Sequence, residues 1–302
     1  MTSGSPHSDA DADADAAALV REVELVLLGT GTSSGVPVIG CACATCRSDD
    51  PRDKRLRCGA CLRLVDESGE PRVILIDVPP DHREQALRHQ LGRCDGIVVT
   101  HDHVDHVWGL DEVRRYNVLM GRSIEIFAEP EVLASLRRVY RHVFERQSNV
   151  NDSFVADLVA RPIDRRRPFD LCGLRFTPVP LLHGRLPILG FRIEALDRGG
   201  AIAREQPGPL PLAYCTDCSA IPPESWRLLT GVDTLVLDLL RDRRHPTHFT
   251  FDEAVAAAGE IAARRTVFIH MTHDLPHAAT DARLPAGMSL GFDGMVLGGR
   301  RE

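Results

Sequence analysis

The sequence predicts a mixed α/β fold. Short apolar runs rich in valine, isoleucine and leucine are typical of buried strands, and apolar residues three and four positions apart are typical of amphipathic helices. Both kinds of segment alternate along the chain, and several apolar runs end just before a histidine or an aspartate. Because α/β folds place their binding sites in loops at strand ends, these observations predict the fold class and also where a site lies.

The predicted elements are seven strands and two helices. The strands cover residues 23–28, 73–76, 96–99, 124–127, 174–182, 235–239 and 267–269. One helix follows Pro130, because apolar side chains recur there at helical steps, at Leu133, Leu136, Tyr140 and Val143. The other begins at Thr250, whose hydroxyl can cap the first turn while Glu253 reaches back in a capping box.

One large domain is predicted over residues 21–302. The chain has 302 residues, of which 43% are hydrophobic, and no internal linker interrupts it. Residues 1–20 are small, polar and acidic, which predicts a disordered tail without the basic region of an export signal. No stretch approaches the roughly 18 apolar residues of a membrane span, so we expect no membrane partner.

The cysteine content indicates the cellular environment of the protein, and the net charge limits the classes of partner that it can bind. Nine cysteines in a long chain without a signal sequence favour reduced thiols and metal ligation over disulfides, and we expect a cytoplasmic protein. The formal net charge of -7 argues against extended nucleic acid as a partner. A local basic patch could still accept a small phosphorylated substrate, which is the expected partner. The oligomeric state stays open, a homodimer included.

A dense group of metal-ligand residue types follows the third predicted strand. His101, His103, Asp105 and His106 form the pattern HxHxDH. A turn that leaves a strand can direct alternate side chains to one cation and the next pair to a second cation nearby. Imidazole and carboxylate together suit zinc, manganese or iron. The pattern therefore predicts a metal site.

Three further residues of the same types end other apolar runs, far away in the sequence. They are His183, Asp217 and His270. With these residues included, the sequence resembles the metallo-β-lactamase superfamily over nearly everything after residue 20. The resemblance implies an αββα sandwich of the metallo-β-lactamase type. It also implies that His101, His103 and His183 hold one metal ion, that Asp105, His106 and His270 hold a second, and that Asp217 bridges both.

A separate metal site is predicted at a cysteine cluster. Cys41, Cys43 and Cys46 have a spacing suited to three thiolates on one tetrahedral zinc. The residues alone leave the fourth ligand open among Cys58, Cys61 and His273. The cluster resembles that of the phosphoribosyl 1,2-cyclic phosphate phosphodiesterases, and this resemblance implies His273 and a structural role for the zinc.

The same family resemblance suggests a reaction. It extends to residues 29–41 and 289–295 and to His248, and it implies that Asp105 and His248 act in catalysis. Two divalent ions, zinc or manganese, would lower the pKa of a bridging water, so that hydroxide attacks phosphorus while His248 protonates the leaving oxygen. We interpret the neighbouring His245 as a surface residue. The expected enzyme is a phosphodiesterase that opens small cyclic phosphodiesters, of ribose or of nucleosides.

Other functions remain open at this point. The same ligands serve lactonases, thioesterases and an RNA-processing endonuclease that trims tRNA ends. A non-catalytic accessory protein of pyrroloquinoline quinone synthesis resembles this sequence in the cysteine loop, but here the full ligand set is present. Residues 111–170 are longer and richer in arginine than expected of the phosphodiesterase family. That enlarged segment leaves the substrate open.

Overall fold

Two β-sheets form the centre of the molecule. A computed structural model describes residues 18–145, 147, 149–150 and 154–298 of the chain. The first seven-stranded sheet contains β1 Val20–Gly29, β2 Gly59–Asp66, β3 Pro71–Ile76, β4 Gly96–Val98, β5 Ile124–Ala128, β6 Leu158–Pro162 and β14 Val296–Gly298. The second contains β7 Phe169–Leu171, β8 Leu174–His183, β9 Leu186–Ala195, β10 Leu212–Cys215, β11 Thr234–Asp238, β12 Arg265–Ile269 and β13 Met288–Leu290.

The two sheets share one plan. The strand orders are β14-β1-β2-β3-β4-β5-β6 and β13-β12-β11-β10-β9-β8-β7. In each sheet one half is antiparallel, whereas β3 to β6 and β10 to β13 run parallel. Parallel strands bring their carboxyl ends to one edge of a sheet, and the loops that follow them are therefore neighbours in space.

Helices cover the outer faces of both sheets. They are α1 His82–Arg88, α2 Val104–Val107, α3 Arg114–Met120, α4 Pro130–Val139, α5 Arg141–Phe144, α6 Pro223–Leu229, α7 Phe251–Ile261 and α8 His277–Asp281. Short 3-10 turns lie at Pro51–Asp53 and Leu110–Val113. The helix predicted at Thr250 is confirmed. The helix predicted after Pro130 is confirmed only as far as Val139, because non-helical backbone at Tyr140 interrupts it and Val143 lies in the separate α5. Pro130 occupies the first turn of α4, and Thr250 and Glu253 form the expected capping box of α7.

Alternation along the strands produces the four layers. In β1, Leu25 and Leu27 point into the core between the sheets, while Val26 and Leu28 contact the helical layer outside. In β11, Val236 belongs to the central core and Leu235 and Leu237 pack under α6 and α7. A strand buried on both faces reads as a continuous apolar run, which is why these segments were recognisable. The αββα sandwich is therefore confirmed.

The predicted strands all lie within or next to observed ones, but several observed strands were not predicted. β7, β13 and β14 have three residues each, too few for a visible pattern, and β2 carries a charged residue in its middle. Residues 1–17 of the predicted tail lie outside the described residues. The last residues of that tail are described: Leu19 donates a backbone hydrogen bond to Leu196, and β1 begins at Val20.

The arginine-rich segment 111–170 contributes regular structure where it is described. It holds α3, α4, α5, β5 and β6, and it ends in β7. Several of its arginines form surface ion pairs, among them Arg165 with Glu129 at 2.8 Å. Among the described residues no helix combines the length and the apolar character needed to cross a bilayer.

Candidate metal centre

Four loops from both sheets meet at one edge of the sandwich. His101 follows β4 of the first sheet, whereas His183 ends β8, Asp217 follows β10 and His270 follows β12 of the second sheet. A backbone hydrogen bond from Leu189 to the carbonyl of Thr100 joins the two sheets here. The ends of strands in different sheets thus face each other across the central core.

The seven predicted side chains form two groups of four that share Asp217. The first group is His101, His103, His183 and Asp217, and the second is Asp105, His106, Asp217 and His270. Within each group the candidate ligand atoms lie within 4.8 Å of one another.

The carboxylate of Asp217 lies between the two groups. Its Oδ1 is 3.1 Å from Nε2 of His106, and its Oδ2 is 3.3 Å from Nε2 of His270 and 3.8 Å from Nε2 of His101. One carboxylate therefore faces ring nitrogens of both groups, which is the position of a bridging ligand.

The backbone at this edge adopts the left-handed conformation at three non-glycine residues. Asp77, Asp217 and His270 have φ angles of 60°, 53° and 67°. Such conformations cost about 1–3 kcal/mol each and persist where the surrounding structure imposes them, often at functional sites. Here they turn the chain sharply after a strand and direct the side chains of Asp217 and His270 into the shared space.

Hydrogen bonds at the ring nitrogen that faces away from the site orient two of the imidazoles. Nδ1 of His106 lies 2.8 Å from Oδ2 of Asp77, and Nδ1 of His183 donates to the carbonyl of Thr247 at 2.7 Å. Each bond places the ring proton on Nδ1 and leaves the lone pair of Nε2 directed into the site. Thr100 completes the arrangement, because its hydroxyl contacts both Asp77 and Nδ1 of His101.

Burial and mutual repulsion keep the imidazoles of His101 and His183 unprotonated. Burial lowers the pKa of His183 to about 4 and, together with the neighbouring His106, holds the pKa of His101 well below its usual value. Burial alone would raise the pKa of Asp217, but the facing His106 and His270 outweigh it and hold that pKa well below its usual range. Neutral imidazole and ionised carboxylate are the forms that bind metal ions.

Unpaired buried atoms indicate that divalent cations fit this site. Nε2 of His101, of His106 and of His270 is buried and has no hydrogen-bond partner within the described part of the chain. An unpaired buried polar atom costs about 1–3 kcal/mol, and these three atoms all face the carboxylate of Asp217. Nitrogen and oxygen donors of this kind suit zinc, manganese or iron.

The cysteine cluster forms a separate candidate site, and its histidine, His273, lies three residues after His270. Nδ1 of His273 lies 3.2 Å from Sγ of Cys41, 3.4 Å from Sγ of Cys43 and 3.5 Å from Sγ of Cys46. Zinc–sulfur and zinc–nitrogen bonds of about 2.3 and 2.0 Å in a tetrahedron separate those atoms by about 3.5 Å. His273 therefore lies where a fourth ligand would, whereas Cys58 and Cys61 are buried in the apolar core.

A tightly packed turn at Gly31 connects the loop of the cysteine cluster to the segment that carries His270. Gly31 pairs with Arg57 on one side and with Met271, the neighbour of His270, on the other. A Cβ atom at this glycine would lie 2.7 Å from the carbonyl oxygen of Arg55, which explains why no larger residue fits. Arg55 is itself buried and donates to the carbonyls of Thr272 and Leu275. The cysteine loop and the segment 270–275 are thus held together.

Comparison with known proteins identifies the family. The profile of the Beta-lactamase superfamily domain matches residues 72–271. The chain belongs to the metallo-β-lactamase superfamily. This match spans His101 to His270 and contains every residue of the two groups around Asp217. The predicted family and fold are confirmed, and the protein is a metallo-hydrolase of this superfamily.

Individual relatives refine the comparison. A solved structure described as a new diphosphatase from the PhnP family is 38% identical in sequence and superposes with a TM-score of 0.78. The match covers 92% of this chain and 98% of that one. Octanoyltransferase of Porphyromonas gingivalis is 35% identical over 264 residues, or 87% of this chain. The chain spans only 49% of that protein. The structure of Zn(2+)-bound PqqB from Methylobacterium extorquens is 22% identical and has a TM-score of 0.70. The match covers 91% of this chain and 99% of that one, and at this identity it supports the fold alone.

His248 lies beside both metal groups of this superfamily member. Its buried ring is 4.5 Å from the ring of His183 and stacks on that of His270 at 4.6 Å, measured between centroids. Nδ1 of His248 is 3.2 Å from Oδ2 of Asp238, which also accepts the backbone N–H of Phe249. Burial lowers the pKa of His248 to about 3 and raises that of Asp238 well above its usual value. His245 is half-buried, with its ring 5.2 Å from that of His248.

Four supporting residues were not predicted from the sequence. They are Asp77, Thr100, Asp238 and Thr247, none of which is a member of the two groups around Asp217. Asp77 follows the apolar run VILI and Asp238 ends the run TLVL, so the strand-end rule that found Asp217 would have found both. Thr247 acts through its backbone carbonyl and has no signal in the sequence.

Proposed function

We propose that the protein is a dinuclear metal-dependent phosphodiesterase that opens small cyclic phosphodiesters. The observation that carries the proposal is the carboxylate of Asp217 shared by two complete ligand groups, with His248 packed against a member of each. In this proposal His101, His103 and His183 hold one cation, and Asp105, His106 and His270 hold the other. When bound, two zinc or manganese ions supply a water of lowered pKa and electrostatic stabilisation of the phosphoryl group.

The protein's own contribution is orientation and a proton. Asp238, which itself accepts the N–H of Phe249, holds the ring of His248 in one position between His183 and His270. Burial holds the pKa of His248 at about 3, and in this proposal the bound phosphate anion raises it. The ring can then carry a proton to the oxygen that leaves phosphorus, where charge builds up in the transition state. Asp105, half-buried at the mouth of the site, serves as a metal ligand in this scheme.

Two points bear on the bond that is cleaved. A sugar alkoxide is a poor leaving group and needs a proton donor such as His248, whereas the thiolate of a thioester leaves readily without one. In addition, the 38% identical structure is named a diphosphatase. That name supports a second candidate, cleavage of a diphosphate, in which the bond broken also joins phosphorus to a bridging oxygen.

The cysteine cluster has a structural role in the proposal. Cys41, Cys43, Cys46 and His273 would hold one zinc ion and pin the loop after β1 to the segment that carries His270. A ligand set that is complete in itself is typical of a structural zinc rather than a catalytic one. The residues from 21 to 302 are proposed to act as one domain around these sites.

A substrate panel tests the proposal. Purified, metal-loaded protein is assayed with 2′,3′-cyclic nucleotides, a ribose cyclic phosphate, a nucleoside diphosphate sugar, a lactone and a thioester. We expect hydrolysis of the cyclic phosphodiesters and none of the lactone or the thioester. Faster cleavage of the diphosphate would select the second candidate, and metal content well below about three ions per chain with no turnover would indicate a non-catalytic accessory protein.

The role of His248 is tested by leaving-group dependence. We expect His248→Gln to lower kcat by about 10²–10⁴ for substrates with a sugar alkoxide as leaving group. With p-nitrophenolate, which needs no proton, the loss should stay below about tenfold. His142→Gln, at an exposed position, is the matched control. Equal losses on both substrate types would contradict proton donation by His248.

A further inference from the structure

In the described part of the chain, solvent reaches the residues of the two groups mainly at α2. Of the seven side chains in the two groups that share Asp217, five are buried, whereas Asp105 is half-buried and His103 is exposed. Both lie at the start of α2, since His103 is its N-cap residue and Asp105 belongs to its first turn. A substrate can therefore approach the two groups past the outer surface of α2.

The helix at this opening is firmly anchored on its inner side. The carbonyl of His106 accepts the backbone N–H of Val78 at 2.7 Å, and the carbonyl of Val107 accepts the hydroxyl of Tyr140 at 3.0 Å. The backbone N–H of Gly109 donates a hydrogen bond to the carbonyl of Val78 at 2.9 Å. The outer surface of α2 is consequently a rigid rim and not a loose loop.

Two large apolar side chains stand on that outer surface. Val104 and Trp108 are four residues apart, so they share one helix face, and they are 54% and 51% exposed. Trp108 is also three residues from Asp105, which places their Cβ atoms about 5–6 Å apart. Within the described part of the chain the indole of Trp108 has no ring contact and its Nε1 has no hydrogen-bond acceptor.

Trp226, by comparison, is packed in the usual way. It lies against the apolar cluster under the second sheet, and its Nε1 donates to the carbonyl of Ile221 at 3.1 Å. A tryptophan that keeps half its surface and its N–H free beside a catalytic opening is a surface prepared for a ligand. A flat ring is the partner that makes full contact with an indole.

We propose that Trp108 is the stacking platform for the nucleobase of the substrate. The inference rests on the proposed phosphodiesterase function and narrows it, because it selects nucleoside cyclic phosphates over base-free ribose phosphates. The phosphate lies on the metal side of α2, and the base extends over the rim and covers the indole. Base–aromatic stacking contributes about 1–3 kcal/mol per base, which corresponds to about a 5- to 150-fold effect on binding.

Fluorescence gives a direct test that needs no turnover. The chain has two tryptophans, so the Trp226→Phe variant reports on Trp108 alone. We expect adenosine 5′-monophosphate to quench this emission, and ribose 5-phosphate and inorganic phosphate at equal concentration to leave it unchanged. Equal quenching by all three, or none by the nucleotide, would overturn the proposal. This assay measures binding at Trp108 and needs no hydrolysis. A protein that hydrolyses no phosphodiester can therefore still confirm or contradict stacking at Trp108, and the two proposals fail independently.

Kinetics gives a second test. We expect Trp108→Leu to lower the ratio of kcat/KM for 2′,3′-cyclic AMP to kcat/KM for glycerol 1,2-cyclic phosphate by about 5- to 100-fold, and Trp108→Phe to restore much of it. Leu119→Ala removes an equally exposed apolar side chain from α3 and is the matched control. An unchanged ratio would contradict stacking. So would ligand-free emission that shifts with protein concentration, because a second copy of the chain would then cover Trp108.

Discussion

Nδ1 of His106 lies 2.8 Å from Oδ2 of Asp77, and both side chains are completely buried. The same carboxylate accepts the backbone N–H and the hydroxyl of Thr100 at 2.9 and 2.8 Å. Asp77 is therefore saturated with donors, and His106 has to present its other nitrogen, Nε2, to the carboxylate of Asp217. The orientation of a proposed metal ligand is determined by a residue that does not face the metal site.

We expect Asp77→Asn to weaken metal binding without unfolding the protein. An amide NH₂ facing Nδ1 of His106 favours the tautomer with the proton on Nε2, which cannot bind a metal ion. Asparagine tolerates the left-handed backbone at this position. Loss of a supporting partner of this kind lowers metal affinity by about 10–100-fold. Competition with a chelator, followed by metal analysis, measures it, and unchanged affinity would contradict the orienting role.

The shared position of Asp217 predicts an asymmetry in metal content. Asp217→Asn should lose both proposed active-site cations, because both groups include this carboxylate. Asp105→Asn should lose only the cation of the second group. Metal analysis of dialysed protein checks this, with the zinc of the cysteine cluster as an internal standard. If Asp217→Asn retained one cation in the active site, the bridging assignment would be wrong.

The cysteine cluster should respond independently of the active site. The backbone N–H of Cys46, and then the neighbouring thiols and His273, lower the pKa of Cys43 to about 6, so this sulfur is a thiolate at neutral pH. We expect Cys43→Ser to lose one zinc ion and to lower the melting temperature, while the active-site cations stay bound. Cys172→Ser, at a half-exposed cysteine outside the cluster, should change neither. Loss of all metals from Cys43→Ser would contradict two separate sites.

Acid sensitivity is expected from His82, which is buried outside both sites. Burial lowers its pKa from 6.5 to about 4, and its Nε2 lies 3.0 Å from the hydroxyl of Tyr116. The unfolded chain therefore binds a proton that the folded protein excludes. Its contribution to stability is present above pH 6.5 and is lost as the pH falls towards 4.

The His82→Gln variant isolates this contribution. Glutamine can still bond to Tyr116 but does not titrate. Between pH 7 and 5 the wild-type protein should lose about 2 kcal/mol more of its free energy of unfolding than the variant. Denaturant unfolding of both proteins at the two pH values measures the difference, in which the common response of the metal ligands cancels. Parallel curves would show that His82 takes up its proton without unfolding.

The amino-acid sequence by itself determined the local structure and the kinds of ligand. β1 and β11 are buried on both faces, and the nearly continuous apolar runs in their sequences predicted these strands. The capping box at Thr250 and Glu253 is complete within four neighbouring residues. HxHxDH places four candidate ligands within six residues, and the strand-end rule added His183, Asp217 and His270. These features depend on contacts close in sequence or on the pleat of one strand, so a single chain reveals them.

The tertiary structure decided which of these residues meet and what each one faces. Residues alone left Cys58, Cys61 and His273 open as the fourth ligand of the cysteine cluster, and packing of residues 270–275 against the loop after β1 brings only His273 to the three sulfurs. Asp77, Asp238 and the carbonyl of Thr247 orient the imidazoles, and Trp108 stays uncovered at the opening. These relationships join strands of two sheets through side-chain directions and tautomers, and no local pattern encodes them because they exist only once the sheets have packed.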